Sequence, residues 1–131
     1  FVNSVVGSLV AAGDNHLLVL ATDGTVFAAG ESCYGQLGMD TASEEGKAAA
    51  RGLFAPVSGL PWSEDEDAER VSLVAAGGAT SAAVSADGRL YTWGNGVWGQ
   101  LGHGDTSDLR RPALVSGLPP VTSVHVAQHH A

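Results

Sequence analysis

Short apolar runs separated by glycine-rich turns make up most of the chain. His16-Leu17-Leu18-Val19-Leu20-Ala21-Thr22 and Thr25-Val26-Phe27-Ala28-Ala29 flank Asp23-Gly24, and Ser81-Ala82-Ala83-Val84-Ser85-Ala86 and Arg89-Leu90-Tyr91-Thr92-Trp93 flank Asp87-Gly88. Apolar runs of this length bounded by turn residues predict strands. Asp-Gly between two of them predicts a hairpin with a type I′ turn, which needs positive φ at both central positions. Val71–Ala76 and Val121–Ala127 read as two more short strands. Ser43–Ala50 has helix formers in Glu44, Glu45 and Ala48–Ala50 but is interrupted by Gly46, so helix and irregular loop both stand.

These elements recur in register. Tyr34-Gly35-Gln36-Leu37-Gly38 returns as Trp98-Gly99-Gln100-Leu101-Gly102, Asp23-Gly24 as Asp87-Gly88, and Ala11-Ala12-Gly13 as Ala75-Ala76-Gly77, all at an offset of 64. Val74-Ala75-Ala76-Gly77 aligns with Val126-Ala127-Gln128-His129 at an offset of 52, so a third copy begins and the first is 12 residues the longer. Val57-Ser58-Gly59-Leu60-Pro61 matches Val115-Ser116-Gly117-Leu118-Pro119 at an offset of 58, which divides the excess between insertions near 41–51 and 62–70. Such a repeat is a supersecondary unit that cannot bury its apolar face alone, and its insertions map to loops. The turns expected from the pattern centre on Gly13, Asp23, Gly24, Gly35 and Gly38 in the first copy. Their second-copy equivalents are Gly77, Asp87, Gly88, Gly99 and Gly102.

The motifs at 30–38 and 93–105, Gly30-Glu31-Ser32-Cys33-Tyr34-Gly35-Gln36-Leu37-Gly38 and Trp93-Gly94-Asn95-Gly96-Val97-Trp98-Gly99-Gln100-Leu101-Gly102-His103-Gly104-Asp105, resemble the signature of RCC1 repeats (regulator of chromosome condensation). Pro112, Val115, Leu118 and Val126-Ala127 follow in that family's order. The resemblance implies an all-β fold: an RCC1-like β-propeller segment of four-stranded antiparallel blades, about two to three of an expected seven. Blades packed radially leave only short, protected edges. The copies depart from the family pattern where His16 is followed by Leu17, where Thr80-Ser81 stand in the His-Thr places, and where Ala29 replaces the aromatic before Gly30.

Length then limits the picture. The 131 residues suffice for one domain with a core, read as a single propeller segment over 1–131, but not for a closed ring. A start at Phe1 and an end just inside a new copy lead us to expect a fragment of a longer protein. Otherwise other copies or another chain supply the remaining blades.

The net charge of −8, from 14 acidic against 6 basic residues, argues against direct contact with nucleic acid or an anionic membrane, which needs clustered Lys and Arg. No apolar run approaches the roughly 20 residues of a membrane-spanning helix. The single cysteine, Cys33, excludes an internal disulfide and makes a reducing intracellular compartment, cytoplasm or nucleus, the default expectation.

Gly94-Asn95-Gly96-Val97-Trp98-Gly99 fits G-x-G-x-x-G, but a dinucleotide site needs a helix to open there, and Gln100-Leu101-Gly102-His103-Gly104 has no helical character. His125, His129 and His130 lack the further converging ligands that zinc takes. No cofactor, metal or catalytic residue is therefore expected. Glu64-Asp65-Glu66-Asp67 after Trp62 is the strongest feature outside the repeat. It lacks the calcium-loop pattern, and as a surface loop it is either simply solvated or a contact for a basic partner with Trp62 as apolar anchor. Trp98 in the repeat turn is a second candidate contact.

Two functions follow from the resemblance. One is a non-enzymatic protein–protein interaction scaffold whose loops carry specificity. The alternative is guanine-nucleotide exchange on a small GTPase, the activity of the family's founding member.

Overall fold

The structure, a computed structural model, describes residues 7–22, 24–31, 35–39, 43–57, 59–60, 71–96, 102, 108–115, 117–121, 123–124 and 126. They form two four-stranded antiparallel sheets. The first contains β1 (Gly7–Ala12), β2 (His16–Ala21), β3 (Val26–Gly30) and β4 (Ala55–Pro56) in that spatial order. The second contains β5 (Val71–Gly77), β6 (Thr80–Ser85), β7 (Leu90–Gly94) and β8 (Leu109–Leu114), again in chain order.

The sheets repeat one another in detail. Leu17 pairs with Ala29 as Ser81 pairs with Trp93, and the register of the first two strands shifts at Gly7/Leu9 and again at Val71/Leu73. A bulge at equivalent places bends each sheet alike and fixes its register. Strands β2 and β6 are buried along most of their length, because each is covered on both faces.

The hairpin turn differs from the expected type I′. Gly88 N–H donates to Ser85 O at 3.0 Å and Ser85 N–H to Arg89 O at 2.9 Å, so the loop is Ala86-Asp87-Gly88. Gly88 has φ +92°, whereas no described residue other than glycine, Asp87 included, has positive φ. This is a type I turn completed by a left-handed residue, a three-residue loop that asks for glycine once rather than twice. Ser85 Oγ reinforces it, donating to Asp87 Oδ1 at 2.5 Å and accepting from Arg89 N–H at 3.1 Å. The first hairpin closes with the same pair of bonds, Gly24 N–H to Ala21 O and Ala21 N–H to Thr25 O.

Helix α1 (Glu44–Ala50) settles the ambiguity over Ser43–Ala50. Ser43 caps it, its Oγ accepting from Gly46 N–H at 3.0 Å. The helix ends where Gly52, φ +86°, donates to Ala49 O while Leu53 N–H donates to Ala48 O. Those two bonds satisfy carbonyls that the helix itself leaves open. Gly46, Ala48 and Ala49 are buried in a helix that packs on β3 and β4, so Gly46 lies within the helix rather than interrupting it.

The expected strand over Val121–Ala127 is not present among its described residues. Val121 is tied instead to the second hairpin turn, its N–H donating to Gly88 O at 2.8 Å. The main core lies between the sheets: Leu18, Leu20, Val26 and Ala28 meet Val71, Val74, Ala83 and Trp93, with Leu37 and Met39 closing the space.

Candidate functional site

The two sheets meet where β5 packs against β1 and β2, and a chain of polar contacts crosses that junction. His16 opens β2, Ser81 is the second residue of β6, and Trp93 lies opposite Ser81 on β7. Ser81 and Trp93 converge on the backbone carbonyl of Gln36, in the segment Gly35–Met39, and His16 joins them through Ser81. Ser81 Oγ donates to Gln36 O at 2.7 Å, and Trp93 Nε1–H donates to the same oxygen at 2.9 Å. His16 Nε2 lies 2.9 Å from Ser81 Oγ. A main-chain bond, Asp14 N–H to Gly78 O at 2.9 Å, runs alongside.

The direction of these bonds fixes the imidazole. Ser81 has one hydroxyl proton and directs it to Gln36 O, so His16 must donate from Nε2. Nδ1 then carries the lone pair of a neutral ring, and it has no hydrogen-bond partner. The ring is 3% exposed and stacked so closely on Gly13 that any Cβ there would strike it. That close approach, rather than a turn conformation, is what requires glycine at 13. Burial pushes the His16 pKa down to about 4, against the smaller upward pull of the Asp14 charge and the Thr80 backbone.

The second copy uses its equivalent positions otherwise. Thr80, in the place of His16, donates within its own sheet to Asn95 O at 3.2 Å. Leu17 and Ala29, in the places of Ser81 and Trp93, have no side-chain polar atom. The polar bridge therefore belongs to the junction between these two sheets in this order.

The other residues singled out from the sequence fall into three groups. Gly24, Gly35, Gly38, Gly88 and Gly102 all have positive φ. At the β5–β6 turn the left-handed residue is Gly78, φ +55°, while Gly77 ends the strand paired with Thr80. Asp23, Trp62, Glu64, Asp65, Glu66, Asp67, Trp98 and Gly99 lie outside the described residues. The bridge from His16 through Ser81 to Gln36 and Trp93 was not read from the sequence, although the degenerate His-Thr places at 16–17 and 80–81 marked two of the positions involved.

Among the described residues, two clefts open at opposite ends of the strands. One, about 390 Å³, is lined by Gly13, Asp14, Asn15, His16, Ala29 and Phe54. The other, about 400 Å³, lies at the second hairpin turn between Asp87, Leu90, Leu114, Leu118 and Pro120. Leu114 and Leu118, 46% and 51% exposed, are its apolar rim. Among the described residues no three His, Cys, Asp or Glu side chains converge as a metal site would require, and no helix is long and apolar enough to cross a membrane.

Comparison with known proteins agrees with this architecture. Residues 87–131, and separately 8–36 and 71–100, match the Regulator of chromosome condensation (RCC1) repeat. The chain is 38% identical over 118 residues to the human E3 ubiquitin-protein ligase HERC2, covering 90% of this chain and 2% of that protein. It is 33% identical over 106 residues to the Drosophila melanogaster Regulator of chromosome condensation, covering 81% of this chain and 17% of the relative. Among solved structures, human WBSCR16 superposes with a TM-score of 0.77 at 25% identity, over 97% of this chain and 31% of the other. Prp20p from Saccharomyces cerevisiae gives 0.71 at 27% identity, over 89% and 27%. The chain thus spans a small part of each protein that it resembles.

Proposed function

The chain belongs to the RCC1-repeat family, and from that premise we propose that it is an arc of a β-propeller serving as a rigid, non-enzymatic platform for protein partners. One observation carries this reading. The same segment recurs within proteins of unlike description, an E3 ubiquitin-protein ligase, an X-linked retinitis pigmentosa GTPase regulator and a Regulator of chromosome condensation, of which it spans 2%, 10% and 17%. A module shared across such different proteins supplies a surface, and the distinguishing chemistry lies in other parts. The buried polar groups at the sheet junction suit this role, since they hold blades together and leave the loops free to vary.

The acidic stretch Glu64–Asp67 with Trp62 is the proposed contact, and its charge favours a basic partner. Trp98 in the repeat turn is the second proposed contact residue. The lone cysteine fits an intracellular setting. The test is pull-down from matched lysates with the intact protein and with Trp62→Ala/Glu64→Lys/Glu66→Lys. The platform reading expects a stoichiometric partner that the triple variant loses, and unchanged capture removes the assigned contact.

Exchange on a small GTPase is the second reading, favoured by the likeness to Prp20p, a protein with binding properties to Gsp1p and histones. Release of a fluorescent guanine nucleotide from a small GTPase, with and without the protein, separates the two. Acceleration of release would establish exchange, and a flat rate leaves the platform.

A further inference from the structure

The imidazole at the sheet junction has one nitrogen committed and one stranded. Nε2–H holds Ser81, and through it Gln36 O, across the interface. Nδ1 is buried against Gly13 with no partner. A proton added at Nδ1 becomes a donor and a positive charge in a dry space, which is costly unless an acceptor or water reaches it. The ionisable groups around the ring are few. Asp14, in the ring's own turn, exerts the one charge felt there. Gly77–Ser81, Gly35–Met39 and β3, which lie against its turn, contain no ionisable side chain, and Glu31, next after β3, bonds through its N–H to Asn15 O. The ring borders the cleft lined by Gly13, Asp14, Asn15 and Phe54, but its Nδ1 is closed from solvent, so a proton reaches that nitrogen only when the ring's packing opens.

We propose that the His16–Ser81–Gln36 bridge is an acid-sensitive latch, and that proton uptake at His16 Nδ1 parts the first sheet from the second while each keeps its own ladder. The sign follows from linkage. In the parted state the imidazole is in water and titrates near 6.5, while in the latched state it titrates near 4. Latching is therefore complete above the upper value and is lost progressively as pH falls towards the lower one, below which nothing further is lost. Between pH 7 and pH 5 the opening equilibrium rises by about 20-fold.

Hydrogen exchange on the intact protein, expressed as protection corrected for the intrinsic rate at each pH, tests this. The junction reporters are the Trp93 indole N–H and the Asp14 amide, and the controls are ladder amides of β2 and β6. The expected result is a loss of about 20-fold in protection at the reporters between pH 7 and pH 5, with the ladder amides unmoved. His16→Gln keeps a side-chain N–H for Ser81 but cannot take up the proton, so its reporters should show no such loss. Equal pH dependence in His16→Gln, or ladder amides falling in step with the reporters, would overturn the latch. A titration of the His16 ring by NMR in the wild type is independent of the variant's folding: a midpoint near 4 supports the proposal, and one near 6.5 refutes it.

Discussion

Gly88 and Gly52 both adopt left-handed conformations, φ +92° and +86°, yet their surroundings differ. A Cβ on Gly88 would lie 2.8 Å from Pro120 Cα and Val121 N, whereas one on Gly52 meets nothing within 4 Å. Gly88→Val should therefore lose about 3 kcal/mol, combining backbone strain with overpacking. Gly52→Ala should lose about 1 kcal/mol, from strain alone. Chemical denaturation of both variants checks the ranking, and equal losses would mean that the Pro120 contact yields. Ser81→Ala leaves the His16 N–H stranded in the junction and should cost about 2 kcal/mol by the same measurement. The need for glycine at 24 and 88 was legible because Asp-Gly is a local signal. The His16–Ser81 pair was not: its members stand 65 residues apart in different copies, and a departure from the His-Thr pattern marks a position without naming its partner.

Among elements, the inner strands and both hairpins could be read from apolar runs bounded by turns. The fourth strands could not. Strand β4 is two residues ending in Pro56, and β8 contains Arg110, Arg111 and Pro112, so neither has an apolar pattern of its own. They are strands because β3 and β7 offer them an edge, and proline is tolerated on an outermost strand, where one side needs no donor. The type I′ expectation failed for a related reason: Asp-Gly suits both the two-residue and the three-residue loop, and the register of the flanking strands decides between them. Helix α1 is seven residues long, too short to be stable by itself, and depends on its caps and its small buried face. Ser43→Ala should cost about 1 kcal/mol and raise amide exchange within the helix before the sheets are affected. Unchanged exchange there would show that packing on β3 and β4 suffices.

For the whole molecule, the repeat register disclosed a stacking unit whatever its local irregularities, and the likeness of the repeated motifs to RCC1 repeats turned that unit into a propeller blade. Function was far less legible. The chain corresponds to 17% of the length of its Drosophila relative, so likeness to that protein says little about a working surface on this one. Partner capture through the acidic stretch should weaken steadily as ionic strength rises, since exposed charges are screened beyond about 8 Å at physiological salt. Salt-independent capture, measured by the same pull-down, would point to apolar contacts instead.

A chain made of two near-copies faces a danger during folding, because a strand of one copy can dock on the wrong sheet as readily as on the right one. The bridge bears on that choice. With the sheets in their native order His16 meets Ser81 and the indole meets Gln36, but with the order exchanged Thr80 would confront Leu17 and Ala29, which have nothing to offer it. The degeneracy of the copies is thus informative: a permuted assembly forfeits the buried bonds, and the sequence itself records which blade comes first.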